Sequence, residues 1–281
     1  MKRVFFLWFA AFILTAAFLV WQKMSGPTYP VRATLGVDGI EIPIELLRSG
    51  SINEDLPVAI PVAALTAAGK EVAGEVTWRR YPTQDEWRTT PLVLEDGILK
   101  GALPRQPMAG KLEYRVDIRS GSFHGVVPGN GEHAVARFKG DVPGLVLVFH
   151  VTFLVLGFLF STGAGLEGLT GGPALKTLSR LCFFCLLVGG LILGPIVQKY
   201  AFDAFWTGWP LGEDWTDNKL AVGVAFWLLA VWRTRKAAPG RPRGKWFAVL
   251  AMLAIFVIFA IPHSIHGSTY DYATGEHIQR M

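Results

Sequence analysis

Two histidines and a tryptophan-rich loop are the residues of this chain whose types and spacing could do chemistry. His150 and His263 lie in two different apolar segments, and a loop at residues 205–215 lies between them in sequence. A histidine within an apolar span is costly unless its imidazole binds something. Because neutral imidazole is a good axial ligand for heme iron, we predict a heme held by His150 and His263. Flat indole rings suit a porphyrin face, and the predicted platform is Trp206, Trp209 and Trp215.

The identity of the second ligand is open, and so is a simpler interpretation of both histidines. His266 lies three residues after His263 on a similar helical face and could replace it as the ligand. Alternatively, His150 is hydrogen-bonded within a helix bundle and His263 is a polar residue at a helix end. The tryptophans would then form an aromatic belt at the membrane interface.

Charged residues flank the tryptophan-rich loop and have candidate roles of their own. Lys199 and Lys219 could contact heme propionates at the surface. The acids of the loop are Asp203, Asp214 and Asp217. Asp217 lies near the start of the following helix, where a carboxylate favours the helix dipole and can act as a cap. Asp203 and Asp214 could instead bind a cation or contact a donor protein.

The composition indicates an integral membrane protein. Of 281 residues, 51% are hydrophobic, and the mean hydropathy is +0.37. The net charge of +5 is not accompanied by a nucleic-acid-binding motif, so we expect no nucleic acid partner. The sequence contains no glycine-rich phosphate loop, no HExxH motif and no serine nucleophile elbow. Hydrolase and nucleotide-driven chemistry therefore have no support. Whether the protein is an enzyme stays open. Cys182 and Cys185 lie in an apolar run and are interpreted as small buried side chains.

Three regions follow one another along the chain. Residues 1–25 form an apolar run behind Lys2 and Arg3, too long for a signal peptide, and predict an uncleaved transmembrane anchor. Residues 26–141 carry short alternating segments with turn signals and predict an all-β sandwich. Residues 142–281 carry four further apolar segments, which predict a four-helix transmembrane bundle and five spans in total. The strand predictions are residues 31–37, 40–46, 72–81, 99–103 and 112–118.

Basic residues predict the orientation of the spans. The predicted C-terminal spans are residues 142–160, 175–197, 220–232 and 246–262. Lys176 and Arg180 mark one side of the membrane, and the basic residues between 233 and 245 mark the same side. By the positive-inside rule both loops are cytoplasmic, as is the N-terminus. The β-domain, the tryptophan-rich loop and the C-terminus are then extracytoplasmic, at a bacterial-type inner (plasma) membrane. His150 would lie about 12 Å below the outer surface, at about 1.5 Å of rise per residue.

Two family resemblances accompany these patterns. Residues 76–118, with Thr77-Trp78-Arg79-Arg80 and Leu112-Glu113-Tyr114-Arg115-Val116, resemble immunoglobulin-like or fibronectin-like modules. The chain from His150 onward resembles the cytochrome c assembly proteins that handle heme through a tryptophan-rich "WWD" loop. The residues that carry this resemblance are His150-Val-Thr-Phe-Leu-Val-Leu-Gly-Phe, Trp206-Thr-Gly-Trp209, Asp214-Trp215-Thr-Asp217-Asn-Lys219, Arg241-Pro-Arg-Gly-Lys-Trp and Pro262-His263-Ser264. It implies that the two outer histidines flanking the loop are axial heme ligands.

Two functions from different classes follow. The first is an integral membrane protein that holds or hands over b-type heme at the outer face by bis-histidine ligation. It would act in cytochrome c maturation or in extracytoplasmic electron transfer, with an extracytoplasmic cytochrome as a partner. The alternative is a non-catalytic membrane-anchored subunit whose β-sandwich docks a partner, such as another subunit, in a larger membrane complex.

Overall fold

The computed structural model describes residues 2–212, 215–261, 269–275 and 277–278, without the side chains of residues 215, 216, 277 and 278. The chain divides into two compact units. The helical unit comprises Met1–Pro27, Val142–Ser268 and Gln279–Met281, and the β-rich unit comprises Thr28–Asp141 and Thr269–Ile278. The segment Thr269–Ile278 therefore packs with the β-rich unit, although in sequence it follows the last apolar helix.

Most of the helical residues lie in the helical unit. The α-helices are α1 (Lys2–Ser25), α2 (Ala63–Ala67), α3 (Gly144–Thr170), α4 (Leu175–Leu186), α5 (Leu193–Phe202), α6 (Trp215–Thr234) and α7 (Lys245–Ala260). A π-helical segment, Leu187–Ile192, joins α4 to α5, so that one helical element runs from Leu175 to Phe202. Only α2 belongs to the β-rich unit.

Three of these helical elements are long and apolar enough to cross a membrane. They are α1, α3 and the continuous element Leu175–Phe202. The apolar helix α7 has 16 residues and is shorter. The prediction of an N-terminal apolar helix is therefore confirmed, and the protein is compatible with membrane association. The two further spans, at α6 and α7, stay predictions.

Small residues occupy most of the buried positions of α3, and large apolar residues lie on its exposed face. The buried positions of α3 are Gly157, Phe158, Ser161, Thr162, Gly163, Ala164, Gly165, Glu167 and Gly168. By contrast, Leu145 and Val148 on the same helix are 76% and 60% exposed. Helices that pack within a lipid bilayer commonly show this distribution, because small residues let helix backbones approach while lipid contacts the large side chains.

The N-terminal helix α1 packs against α3 in the antiparallel direction. Thr15 and Thr162 form a buried hydrogen bond between hydroxyl oxygens 3.1 Å apart. Nearer the start of α1, Arg3 donates to the hydroxyl of Thr170 at 2.7 Å and forms an ion pair with Glu167 at 3.5 Å. The start of α1 and the end of α3 consequently lie at the same end of the helical unit.

The β-rich unit is built on one continuous eight-stranded sheet. Its strands are β3 (Ser49–Ser51), β4 (Leu56–Pro61), β5 (Ala73–Tyr81), β6 (Arg88–Glu95), β7 (Ile98–Leu103), β8 (Lys111–Ser120), β9 (Phe123–Val127) and β10 (Ala134–Lys139). The strand order is β3-β10-β8-β5-β6-β7-β4, and β9 pairs with β8. Two short antiparallel ribbons accompany this sheet: β1 (Val31–Val37) with β2 (Ile40–Leu46), and β11 (Thr269–Tyr270) with β12 (His277–Ile278).

The eight-stranded sheet passes from one part of the β-rich unit to another through β6. Residues 88–92 of β6 pair with β5, whereas residues 93–95 pair with β7. A strand that changes partner in this way links two parts of a sheet that enclose one core. The sheet is therefore barrel-like in its continuity and does not divide into two separate hydrogen-bonded layers, so the immunoglobulin-like sandwich stays a prediction. Its core includes Leu112, Tyr114, Ile118 and Phe138, all at most 1% exposed.

Candidate functional site

The backbone of a neighbouring helical element fixes the orientation of the His150 imidazole. Nδ1 of His150, on α3, lies 2.7 Å from the carbonyl oxygen of Gly189 in the π-helical segment. Because a carbonyl oxygen only accepts hydrogen bonds, Nδ1 carries the proton, and Nε2 of the neutral ring keeps its lone pair. Within the described ranges, no hydrogen bond to Nε2 is present. Metal-binding histidines commonly show this arrangement, with one ring nitrogen donating to a carbonyl.

Glycines in the π-helical segment allow this close approach between helices. A Cβ added at Gly189 would lie 2.7 Å from Cβ of Phe153 and 3.0 Å from the backbone nitrogen of Leu154. A Cβ added at Gly190 would lie 2.7 Å from Leu220 of α6. π-Helical turns are rare and occur frequently at functional sites. Our sequence interpretation did not include Gly189 and Gly190, although a Gly-Gly pair within an apolar run was the signal available.

A partly enclosed cavity of about 190 Å³ lies beside His150. Most of its lining is apolar, and the polar side chains that reach it include His150, Gln198, Trp206 and Asp217. The remaining lining residues are Leu154, Gly190, Gly194, Pro195, Val197, Ala201, Phe202, Leu220 and Phe259. The structure therefore brings together the first predicted ligand, one predicted platform tryptophan and one loop acid at a single cavity.

Asp217 organises the tryptophan-rich loop. Its Oδ2 accepts hydrogen bonds from the backbone nitrogens of Thr207 at 2.7 Å and Gly208 at 3.1 Å. The same oxygen accepts from Thr207 Oγ1 and from Gln198 Nε2, each at 3.2 Å. A carboxylate that accepts several hydrogen bonds in a buried position holds its donors firmly. Asp217 lies in the first turn of α6, and these hydrogen bonds connect the start of that helix to the loop before it.

The two predicted platform tryptophans whose side chains are described, Trp206 and Trp209, are placed differently. Trp206 lines the cavity, and its Nε1 donates to the carbonyl oxygen of Trp209 at 3.1 Å. The side chain of Trp209 itself is 78% exposed and does not line the cavity. The side chain of Trp215 and all of Asp214 lie outside the described residues. One of the three predicted tryptophans is thus shown at the cavity.

The two lysines that were predicted to contact propionates have other partners. Lys219 is 6% exposed, and its Nζ donates to the carbonyl oxygen of Ile261 at 2.6 Å, just beyond α7. A cation at the end of a helix stabilises its unpaired carbonyl groups. Lys199 forms an exposed ion pair with Asp203 at 2.6 Å. Lys219 therefore ties α6 to the end of α7, while Lys199 and Asp203 remain at the surface.

The second predicted ligand, His263, and its substitute His266 lie outside the described residues. The chain that leads to them is described as far as Ile261, and Phe259 on α7 lines the cavity. His263 follows Phe259 by four residues in sequence. The structure therefore describes the cavity and the chain as far as Ile261, and it describes neither histidine.

The cysteine pair is part of the helix interior. Cys182 is 0% exposed and donates from Sγ to the carbonyl oxygen of Gly157 at 3.3 Å, and Cys185 is 4% exposed. Both positions match the interpretation as small buried side chains. In the described part of the chain, no group of three or more His, Cys, Asp or Glu side chains is placed to hold a metal ion.

The lining of the cavity is compatible with one side of a heme site, but the cavity as it stands does not fit a complete one. A fixed imidazole with a free Nε2 lone pair and an apolar, tryptophan-bearing wall fit an axial ligand and part of a porphyrin ring. The volume of about 190 Å³ is nevertheless below the range of about 300–1,000 Å³ that is usual for small-molecule sites.

Comparisons with known proteins identify no relative of this chain. No family model, curated protein or solved structure matches it.

Proposed function

We propose that the helical unit is a heme-binding membrane domain in which His150 supplies one axial ligand to b-type heme. The observation that carries the proposal is the hydrogen bond from His150 Nδ1 to the Gly189 carbonyl oxygen. That bond selects the tautomer whose Nε2 can bind iron, and it does so beside an apolar cavity. When bound, heme would supply redox chemistry or be carried as cargo, and the protein would orient it.

The second ligand in this proposal is His263, with His266 as the substitute. Support comes from α7, because Phe259 lines the cavity and the chain continues from Ile261 toward both histidines. Lys219 strengthens this connection by fixing the Ile261 carbonyl group. Trp206 would contact the porphyrin, with Trp209 and Trp215 closing over it from the same loop. We expect the loop to move when heme enters, because the cavity is smaller than a porphyrin requires.

The proposed topology has five spans, with α6 and α7 crossing the membrane as well. Charge supports an N-terminus on the cytoplasmic side, because basic residues gather at one end of the helical unit. An added Cβ at Gly168, near the end of α3, would lie 3.0 Å from the Lys245 carbonyl oxygen, so the 233–245 loop lies at that same end. His150 and the tryptophan-rich loop would then face the outer side, with the β-rich unit as an extracytoplasmic, immunoglobulin-like module.

Heme at that outer face would be held for cytochrome c maturation or used in extracytoplasmic electron transfer. Both uses require access from the outer side, and the cavity is bordered by a loop rather than by helices alone. The resemblance to heme-handling assembly proteins favours maturation. An extracytoplasmic cytochrome would be the partner in either case.

The test is a reduced-minus-oxidised visible spectrum of the detergent-purified full chain, with a pyridine hemochrome assay. We expect about one heme per chain in the parent protein. His150→Ala should lose most of the bound heme, and added imidazole should restore part of it to His150→Gly. His124→Ala in β9 is the matched control, because it removes a histidine of the other unit and should keep the parent spectrum.

Two outcomes would overturn the heme proposal. The first is an unchanged heme content and spectrum in His150→Ala. The second is a featureless spectrum of the parent protein from heme-replete cells. In the second case the helices would act as anchors, and the β-rich unit would carry the function.

A second candidate function is a membrane-anchored subunit whose β-rich unit docks a partner. An exposed aromatic cluster favours it: the ring of Trp87 lies 4.5 Å from the Arg79 guanidinium and 4.6 Å from the His133 ring. Trp87 is 37% exposed, and tryptophan and arginine are enriched where proteins bind one another. Trp87→Ala should then abolish partner binding in a cross-linking assay while heme content is unchanged. Equal cross-linking by Trp87→Ala and the parent would remove this candidate.

A further inference from the structure

A basic groove lies where α6 ends and α7 begins. Its volume is about 530 Å³, and five cationic residues line it. These are Arg233, Arg235, Lys236, Arg243 and Lys245. The groove is lined in addition by Trp232, Trp246 and Phe247. It therefore combines a strong positive charge with aromatic rings in one concave surface.

The cations of the basic groove have no acidic partner among the residues that the structure describes. Three of them contact aromatic rings instead. The guanidinium of Arg233 lies 4.3 Å from the ring centre of Phe247, that of Arg235 lies 5.2 Å from Trp232, and Nζ of Lys245 lies 5.1 Å from Trp246. Cation–π contacts orient these side chains but leave their positive charge available to an anion.

The basic groove has the marks of a membrane interface. Trp232 ends the apolar part of α6 and is 50% exposed, and Trp246 begins that of α7 and is 59% exposed. Exposed tryptophans at the ends of apolar helices usually lie at the level of lipid headgroups. The groove would then open at the depth where phospholipid phosphates are found.

We propose that the basic groove binds the phosphate headgroup of an anionic phospholipid. Clusters of Lys and Arg next to a span attract anionic lipids, and basic pockets between spans bind their headgroups. A volume of about 530 Å³ lies within the range of about 300–1,000 Å³ usual for bound small molecules. The proposal rests on the membrane placement given above, and it is independent of heme.

Two double variants that each remove two positive charges distinguish lipid binding from a role of these charges in membrane orientation alone. Arg235→Gln with Arg243→Gln removes two charges that line the basic groove. Arg180→Gln in α4 with Arg241→Gln in the 233–245 loop removes two charges that do not line it. If the charges act only on membrane orientation, the two double variants should bind lipid equally. If the groove binds lipid, only the first double variant should lose lipid binding.

The experiment measures binding of phosphatidylglycerol to the detergent-purified full chain by native mass spectrometry. We expect saturable binding that weakens about tenfold or more in the groove pair, since each basic residue near the surface contributes about 1 kcal/mol to binding an anionic lipid. The control pair should retain the parent affinity, and phosphatidylcholine should not saturate the site. The single variants Arg235→Gln and Arg243→Gln, each expected to weaken binding about fivefold, replace the pair if it does not fold.

Three results would overturn the lipid proposal. One is equal loss of phosphatidylglycerol binding in the groove and control pairs. Another is equal binding of phosphatidylcholine and phosphatidylglycerol by the parent protein. The third is displacement of the lipid by inorganic phosphate at the same concentration, which would assign the groove to a soluble phosphate. Absence of bound heme from the parent protein would not change the lipid-binding result. Failure of the heme proposal can therefore be distinguished from failure of the lipid proposal.

Discussion

Strand β4 of the β-rich unit and helix α3 of the helical unit bury different kinds of side chain. In the β-rich unit, strand β4 alternates buried and exposed residues along its whole length, and its large apolar side chains face the core. In the helical unit, α3 buries mostly glycine, serine, threonine and alanine, together with Phe158 and Glu167, and it exposes several leucines and valines. Water drives apolar side chains inward in the β-rich unit, and the pattern of α3 is compatible with packing in lipid, where close backbone approach is a main source of helix association.

Buried polar groups join separate segments in both units. In the β-rich unit, Tyr114 donates its hydroxyl to the Leu47 carbonyl oxygen at 2.7 Å, which supports a core that apolar contacts already form. In the helical unit, Asp217, Lys219 and His150 each join two different segments by hydrogen bonds. Polar groups in an apolar bundle therefore specify which segments meet, and the candidate site lies where three such connections converge.

The largest expected effect distinguishes two leucines that receive the same substitution. Leu112 is 0% exposed in β8. Leu112→Ala should lower the free energy of unfolding of the β-rich unit by about 2–5 kcal/mol, because the substitution leaves a cavity in the core. Leu147→Ala, at a position 43% exposed on α3, should change the stability of the helical unit little. Amide hydrogen exchange of the full chain in detergent reports on both units separately.

A large loss of protection from amide hydrogen exchange in Leu147→Ala would contradict this difference between the two leucine positions. It would mean that the outer face of α3 is packed against a partner rather than against lipid. Retained protection in Leu112→Ala would show that the β-rich core is not packed as described.

An intermediate effect is expected at the glycine that lets α3 and the π-helical segment meet. Gly189→Ala should destabilise the helical unit by about 1–3 kcal/mol, since its Cβ would overlap Phe153 and the α3 backbone. It should also weaken the hydrogen bond that orients His150. Gly36→Ala in β1 is the matched control, because nothing lies within 4 Å of an added Cβ there. Equal melting temperatures for the two variants in detergent would show that the helices do not approach this closely.

The smallest expected effect is a pH dependence in the docking of the segment Thr269–Ile278 onto the rest of the β-rich unit. Burial raises the pKa of Tyr272 from about 10 to about 12. Its hydroxyl accepts a hydrogen bond from the Lys111 backbone nitrogen at 2.9 Å and lies 3.0 Å from the Lys111 carbonyl oxygen. Because the folded pKa is the higher one, the neutral phenol stabilises docking fully below about pH 10, and this stabilisation is lost as pH rises toward about 12.

Electron paramagnetic resonance of a spin label at Ala273→Cys measures this docking. The label should gain mobility between about pH 10 and about pH 12 in the parent background. In a Tyr272→Phe background this step should vanish, because the titrating hydroxyl is absent. An identical pH-dependent step in both backgrounds would assign the transition to another group.

Alternation predicted much of the β-rich unit but missed several of its strands. All five predicted strands are present, each within two residues of its bounds, as for residues 112–118 and the observed Lys111–Ser120. Strand β4 was missed because prolines flank a short apolar run, and β6 because most of its residues are polar or exposed. Pairing across the sheet supplies hydrogen bonds that local propensity does not reveal.

The candidate site was predicted in part, and its supporting residues were not. His150 and Trp206 reach one cavity, whereas their roles as heme ligand and platform stay predictions. Lys219 was predicted to face a propionate, yet it is buried against the Ile261 carbonyl group. Gly189 was not considered, because a glycine in an apolar run has several roles, and only the partner helix shows which one applies.

Local chemistry in the sequence determined the apolar helices, the alternating strands and the turns between them. The Asp38-Gly39 turn between β1 and β2, with φ of 48° and 81°, is an example, because this dipeptide readily adopts left-handed backbone conformations. Only the tertiary structure decided that Gly189 would orient His150, that Asp217 would hold the tryptophan-rich loop, and that β6 would change partner. Those outcomes depend on contacts between segments far apart in the chain, and such contacts are set by packing and hydrogen-bond geometry rather than by local propensity.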